Sequence, residues 1–367
     1  MTTLNDLFTE YLHQIEPSLE AVKRAKDSHG PLREDLEKDE KYGPFVARTI
    51  LSGSYGRDTA IFFIKDVDVI IQTTFTKSCL RETKKSDETE QECLLRLTQE
   101  AIKRTGRTAR TRKARRSIYV KLPEETNDMG EEEAPELTMD IVPVLIQTDK
   151  DEDPMTIADK DLCNWYDTYP ITQLADSKER NARSSVIGDR HSYKPLVKIF
   201  KAWKQVHFRS TKTPKGFVLE CLTAKYHNPK AEHWVEAVRD LFQNICDEWP
   251  YPEGLTDIPR VRDISDSAPY LIPIAKTVEE ARKVLQKIHQ HLDLVKQAIE
   301  EAESDLTKSA KTLQRVFGQD CEIICFPLPE DNGDDDGNGG KGKSRKSSPF
   351  VPGSRSDVRE APEFGHV

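Results

Sequence analysis

Two aspartates separated by one residue, inside a run of β-branched residues, constrain this chain most. The run DVDVIIQT, residues 66–73, carries Asp66 and Asp68. Val and Ile favour strands, and alternate residues of a strand point to one face, so the two carboxylates are expected on the same face, about 7 Å apart. An isolated Asp-x-Asp pair usually marks a turn or a solvated strand edge, so its neighbours must decide the interpretation.

A third carboxylate stands in another run typical of a strand. LTMDIVPVLI, residues 137–146, contains Asp140 and is predicted to pair beside the first strand. Three carboxylates on neighbouring strands suit Mg²⁺, which prefers oxygen ligands and completes its shell with water and substrate phosphates. Two such ions about 4 Å apart can activate an attacking hydroxyl and stabilise a leaving oxygen. We therefore expect Asp66, Asp68 and Asp140 to hold two Mg²⁺ ions, or Mn²⁺, for phosphoryl-group chemistry.

A Gly-Ser pair comes before these aspartates. Gly53 and Ser54 follow a short apolar run, and a turn there can present backbone N–H groups and a hydroxyl to a triphosphate. Alone, the pair would be an ordinary turn. A strand, a Gly-Ser turn, an Asp-x-Asp strand and a distant strand Asp, in that order, are much more specific for nucleotide chemistry.

A basic helix is predicted further along the chain. KPLVKIFKAWK, residues 194–204, places Lys194, Lys198 and Lys201 at positions i, i+4 and i+7, which lie along one face of a helix. The alternative is a solvated basic face, which suits Lys194 better than Lys201. A long helix is also predicted from Thr277, with an apolar stripe that Gly318 ends.

Composition narrows the class of protein. The 367 residues carry a net charge of −9, which disfavours general coating of nucleic acid, since such binding needs an excess of Lys and Arg. The N-terminus lacks the pattern of a signal peptide, and no apolar stretch approaches the length of a membrane span. We expect a cytoplasmic enzyme with no membrane association.

The ordered motifs resemble those of a known family. GSYGRDTAI, DVDVII and MDIVPVL are similar to successive motifs of the oligoadenylate synthase-like and cyclic GMP-AMP synthase-like nucleotidyltransferases of the DNA polymerase beta superfamily. KPLVKIFKAWK and GFVLECLTAKY resemble the helix pair that lines their nucleotide pocket, so the resemblance covers most of residues 1–320. It is closest to the bacterial branch, the CD-NTases of anti-phage (CBASS) operons, which make cyclic di- or trinucleotides that activate an effector.

The resemblance implies an α+β, bilobal, polymerase-beta-like fold. A mixed-sheet catalytic lobe is expected over residues 1–160, and a helical nucleotide-binding lobe over 161–327. The segment 328–367 has too few apolar residues to offset chain entropy, so a disordered tail is expected there. In some defence operons the synthase C-terminus is joined to other proteins, so a tail-mediated or regulatory protein partner is a minor hypothesis.

The resemblance also assigns roles. The positions that match the family's phosphate contacts are Gly53, Ser54, Lys198 and Lys201. Asp140 would also help to deprotonate the acceptor hydroxyl. Many relatives carry Ser or Gln where this chain has Gly216, so the backbone of Gly216 would replace a side-chain contact to substrate. The zinc-binding signature of the animal DNA sensor is absent, so direct DNA sensing is not expected.

These features favour a cyclic oligonucleotide synthase that uses ATP, and other nucleoside triphosphates as candidates, with release of pyrophosphate. A polymer-tailing or tRNA-end nucleotidyltransferase would use the same carboxylates, and an inactive nucleotide-binding module would keep the fold without turnover. A further feature stays open: the basic stretch 103–117 would either bind RNA or be screened by the acidic stretch 124–136.

Overall fold

The computed structural model describes residues 2–62, 64, 66–108, 110–122, 137–147, 152–211, 213–320 and 324–329. The acidic stretch 124–136 and the segment from 330 to the C-terminus lie outside the described residues. The predictions of charge screening by that stretch and of a disordered tail therefore stay predictions.

The described helices are α1 Leu4–Ile15, α2 Leu19–Lys38, α3 Gly53–Gly56, α4 Lys77–Thr83, α5 Glu90–Arg104, α6 Pro170–Arg183, α7 Tyr193–His207, α8 Gly216–Tyr226, α9 Trp234–Glu248, α10 Val278–Ala302 and α11 Leu306–Phe317. The described strands are β1 Val46–Ser52, β2 Asp66–Thr73, β3 Arg110–Lys113, β4 Ile118–Lys121, β5 Thr138–Ile146, β6 Met155–Asp159, β7 Asn164–Thr168, β8 Val186–Ile187, β9 Arg190–His191, β10 Arg260–Arg262, β11 Leu271–Pro273, β12 Gln319–Asp320 and β13 Ile324–Cys325. Within the described residues no helix is both long enough and apolar enough to cross a membrane.

The central sheet is mixed, as expected. Its strands follow the order β1-β2-β5-β4-β3, and β6 pairs with β5 while β7 pairs with β6. β2 and β5 run parallel, whereas the other neighbouring pairs are antiparallel. Val67, Val69 and Ile71 of β2 enter the core beneath α2 and α5. Because strand residues alternate between faces, Asp66 and Asp68 point to the opposite face.

The helical core is separate from the sheet core and includes the N-terminal helix. Phe8 of α1 packs edge-on against Phe317 and Phe326, with ring centroids 5.5 and 4.9 Å apart. The helical path is interrupted near Pro17, since α1 ends at Ile15 and α2 begins after the cap residue Ser18. α1 thus joins the C-terminal helices, and α2 joins the sheet core.

Two features differ from the sequence-based expectation. The long helix does not continue to Gly318: α10 ends at Ala302, and the Asp305 side chain caps α11 by accepting a hydrogen bond from a backbone N–H. β7 adds a strand to the sheet after residue 160, where only helices were expected. The boundaries of the two lobes stay a prediction.

Candidate active site

The strand register brings the three predicted aspartates together. In the parallel pair of β2 and β5, Asp68 lies directly beside Asp140, and Asp66 lies beside Thr138. Directly paired residues point to the same face of a sheet. All three carboxylates therefore stand on the face that α2 and α5 leave uncovered.

Two hydroxyls orient these carboxylates. The Ser117 hydroxyl donates to Oδ1 of Asp140 over 2.9 Å, and the Thr138 hydroxyl donates to the Asp66 carboxylate. Sequence reasoning missed both residues. The position of Thr138, two residues before Asp140, places it on the same strand face and was the available signal.

Burial and mutual repulsion of the carboxylates dominate the electrostatics of this cluster. Burial, followed by the neighbouring Asp140 carboxylate, raises the pKa of Asp68 to about 6, while Arg57 opposes the rise. Burial likewise raises the pKa of Asp140, with a contribution from Asp66. Mutual repulsion of this kind is relieved by a bound cation, and perturbed carboxylates cluster at functional sites.

The donor set fits a divalent cation that prefers oxygen. Three carboxylates on rigid strands match the ligand chemistry of Mg²⁺. Among the described residues, no three acidic, His or Cys side chains are gathered so closely that they enclose an ion by themselves. An ion held here would take its remaining ligands from water and substrate phosphate.

Gly53 and Ser54 lie next to the aspartates, in a single helical turn rather than a simple loop. Ser52, which precedes the turn, pairs with Asp68 across the sheet. Gly53 has φ of +63°, and a Cβ built on it would lie 1.7 Å from Oδ2 of Asp68. Only glycine fits this conformation and this approach.

The basic helix α7 reaches the same region through buried ion pairs. Lys201 donates to Oε1 of Glu220 over 2.7 Å and to the carbonyl and hydroxyl oxygens of Thr59 over 2.9 and 3.0 Å. Arg57 donates to the other Glu220 oxygen over 2.7 Å. All three charged side chains are buried. The three protons of Lys201 are therefore all used within the protein. Sequence reasoning did not single out Arg57 and Glu220, which the structure places in this candidate site.

The other two predicted lysines hold the segment after the turn. Lys198 donates to Glu16 over 2.8 Å and to Asp58 over 3.3 Å, and Lys194 lies 3.7 Å from Asp58. Both lysines are mostly buried, so the solvated-face alternative does not describe Lys194. Gly216 sits beside Lys201, where a Cβ would meet the lysine stem at an ordinary 3.6 Å.

The chain is similar to known proteins in sequence and in fold. Residues 1–181 match the model of the SMODS family, the Second Messenger Oligonucleotide or Dinucleotide Synthetase domain. The cyclic AMP-AMP-AMP synthase of Acinetobacter sp. is 28% identical over 324 residues, which cover 86% of this chain and 84% of that protein.

Solved structures show the same fold. CdnC of E. coli MS115-1, in its complex with HORMA-deltaN, matches with a TM-score of 0.63 at 15% identity, over 86% of this chain and 96% of that one. DncV of Vibrio cholerae, a cyclic AMP-GMP synthase, matches with a TM-score of 0.61 at 10% identity, over 88% of this chain and 98% of that one. The family match over residues 1–181, the sequence relative and the polymerase-beta-like fold together indicate a bacterial CD-NTase, and the chain is a nucleotidyltransferase.

Proposed function

We propose that this chain joins ATP into a cyclic oligonucleotide second messenger, with other nucleoside triphosphates as candidate co-substrates. The observation that carries the proposal is the pairing of Asp68 with Asp140 in adjacent parallel strands, with Asp66 on the same face. Cyclic triadenylate is the product we favour, because the curated relative that covers most of this chain is a cyclic AMP-AMP-AMP synthase.

Each bond would form by attack of a 3′ or 2′ hydroxyl oxygen on the α-phosphorus of a donor triphosphate. The bond from that phosphorus to the bridging oxygen breaks, and pyrophosphate leaves. The proton of the hydroxyl passes to the Asp140 carboxylate, which the Ser117 hydroxyl holds in place. The last step repeats this chemistry between the two ends of the linear intermediate and closes the ring.

Two Mg²⁺ ions, replaceable by Mn²⁺, are proposed on Asp66, Asp68 and Asp140. When bound, they neutralise phosphate charge and lower the barrier to displacement. The remaining substrate contacts are proposed at Gly53, Ser54, Lys198, Lys201 and Gly216. For Lys201, a phosphate oxygen would have to replace one of the three protein oxygens that it now contacts.

We place the enzyme in the cytoplasm and in anti-phage (CBASS) signalling, where its nucleotide substrates and an effector are available. A regulatory protein partner is proposed by analogy with the E. coli neighbour, whose structure contains HORMA-deltaN. Product formation with and without the proteins encoded beside this chain's gene would test that partner.

The decisive experiment uses labelled ATP, GTP, CTP and UTP, singly and together, with Mg²⁺ or Mn²⁺. Products are treated with phosphatase, resolved and identified by mass. A small phosphatase-resistant product, lost in the Asp66→Ala/Asp68→Ala variant, is expected. Long tails on added RNA would identify a tailing enzyme instead, and tight ATP binding without turnover would identify a binding module.

A further inference from the structure

The row of paired residues that contains the aspartates continues across two more strands. Asp140 of β5 pairs with Tyr119 of β4, and Tyr119 pairs with Arg112 of β3. Because directly paired residues point to the same face, Tyr119 and Arg112 stand on the face that carries the carboxylates. The row therefore runs from the Gly-Ser turn, through Asp68 and Asp140, to an aromatic ring and a guanidinium.

Direct contacts support this placement. The guanidinium carbon of Arg112 lies 5.3 Å from the centroid of the Tyr119 ring, so the ring supports the cation by a cation–π contact. Arg112 is exposed and Tyr119 is half-buried. The guanidinium is thus accessible on the face that carries the carboxylates.

A second row adds two cations. Asp66 pairs with Thr138, Thr138 with Lys121, and Lys121 with Arg110. We call the four residues of β3 and β4 on this face the β3–β4 strip; they are Arg110, Arg112, Tyr119 and Lys121. The strip is a cationic surface with one aromatic ring, directly beside the three carboxylates.

The other arginines of the same basic stretch are paired elsewhere. Arg104 forms a 2.7 Å ion pair with Asp39, and Arg107 pairs with Asp35. Arg115 and Arg116 share Asp159, at 2.8 and 2.9 Å. Nearby carboxylates therefore neutralise these four arginines. Arg110 and Arg112, by contrast, lie on the face of the sheet that carries the active-site carboxylates.

The order of groups along the row indicates which substrate the strip serves. Phosphoryl transfer proceeds with the attacking and leaving oxygens roughly in line, on opposite sides of phosphorus. The Gly-Ser turn, where donor phosphates are proposed, lies at the β1 end of the row. The attacking nucleotide must then approach from the β4 and β3 side. Arg112 stands two strands, about 10 Å, beyond Asp140.

We propose that the β3–β4 strip binds the 5′-phosphates of the acceptor nucleotide while its sugar hydroxyl lies at Asp140. Arg112 makes the main phosphate contact, since a guanidinium forms paired hydrogen bonds to phosphate. The inference rests on the proposed function and assigns a second substrate position within that site. It predicts that acceptors are chosen partly by the phosphates they carry.

The test separates donor from acceptor. The donor is α-labelled 2′,3′-dideoxy-ATP, which lacks an attacking hydroxyl. The acceptor is either adenosine or α,β-methylene-ATP, which carries three phosphates but cannot release pyrophosphate. We expect Arg112→Gln to lower kcat/KM for α,β-methylene-ATP by about tenfold or more. The kcat/KM for adenosine should stay within about twofold of the wild-type value, because adenosine carries no phosphate that Arg112 could contact.

The matched control is Arg107→Gln, which removes an arginine of the same basic stretch that pairs with Asp35. This variant should leave kcat/KM unchanged for both acceptors. An unchanged acceptor ratio in Arg112→Gln, or an equal loss with both acceptors, would overturn the proposal. An unchanged ratio together with weakened RNA binding would assign the strip to RNA. Transfer by the wild type to neither acceptor would instead overturn the proposed function, and the inference with it.

Discussion

The carboxylate of Asp68 lies against the α-carbon of Gly53. A methyl group at Gly53 would come within 1.7 Å of Oδ2 of Asp68 and 2.7 Å of its carboxyl carbon. The turn proposed for donor phosphates and the strand proposed for metal are therefore packed against each other without room for a side chain. Any group added at Gly53 must displace the Asp68 carboxylate.

Gly53→Ala should accordingly reduce nucleotidyl transfer by about a hundredfold or more, since small displacements of reacting groups cost about that much. The control is Gly188→Ala, because Gly188 has φ of +66° with open space around its α-carbon. It should cost about 1 kcal/mol of stability and retain activity. Product formation and urea unfolding of both variants measure the contrast. Similar activities in the two variants would contradict the prediction.

Asp68→Asn should stabilise the metal-free protein while it abolishes activity. Burial and Asp140 raise the pKa of Asp68 to about 6 in the folded chain, above the ordinary value near 3.9. The folded state therefore favours the protonated acid, and stability is lost as pH rises through about 6. At pH 8 in EDTA, the variant's free energy of unfolding should exceed that of the wild type by about 2 kcal/mol.

The stability gained by Asp68→Asn should shrink as pH falls below 6. It should be absent below about pH 3.9, where Asp68 is protonated in both the folded and the unfolded wild type. Urea unfolding at pH 8 and pH 5 measures it. Mg²⁺ should raise the stability of the wild type more than that of the variant. A variant that is less stable than the wild type at pH 8 would contradict the account of repelling carboxylates.

Glu220→Gln should destabilise the protein strongly. Although burial opposes it, Lys201 and Arg57 hold the pKa of Glu220 at about 2. The neutral amide would leave two buried cations without a counter-charge, at a cost of about 3–5 kcal/mol. Glu300→Gln, on the exposed face of α10, is the control and should change stability by less than about 0.5 kcal/mol. Chemical unfolding of both variants checks the difference.

Asp159→Asn should produce a stability loss that depends on pH. Hydrogen bonds from Arg115, followed by those from Arg116, hold the pKa of Asp159 at about 2 although burial opposes this. A lowered folded pKa contributes stability above the unfolded value near 3.9, and that contribution is lost as pH falls through about 2. Both arginines are about half exposed, so the expected loss at pH 7 is about 1 kcal/mol.

The measurement is urea unfolding of wild type and Asp159→Asn at pH 7 and at successively lower pH. The difference should narrow below pH 4. Asp161→Asn is the control, because Asp161 is exposed and pairs with its neighbour Lys160. A constant difference for Asp159→Asn down to pH 2 would show that packing, rather than charge, causes the loss.

Local sequence predicted the elements that carry the chemistry. The alternation of Asp66 and Asp68 with Val67 and Val69 predicts a strand with both carboxylates on one face, and the first four residues of β2 alternate in burial in that way, whereas residues 70–73 are all buried. Periodicity likewise predicted helix α7 around Lys198 and Lys201. Periodicity failed at the break between α10 and α11. The apolar residues before Ala302 and those after Asp305 recur with the same helical period, so the sequence indicates one continuous helix. Only the packing of α11 against α10 shows that the chain forms two helices there.

Pairings between distant residues were decided by the tertiary structure. The sequence by itself determined which residues can be strand carboxylates, turn glycines and helix cations, because these properties depend on neighbours along the chain. It did not determine that Asp68 would lie beside Asp140, or that Arg57 would meet Glu220, which is 163 residues away. Such pairings form only when distant segments are desolvated against each other, so the free energy that selects them is a property of the packed fold.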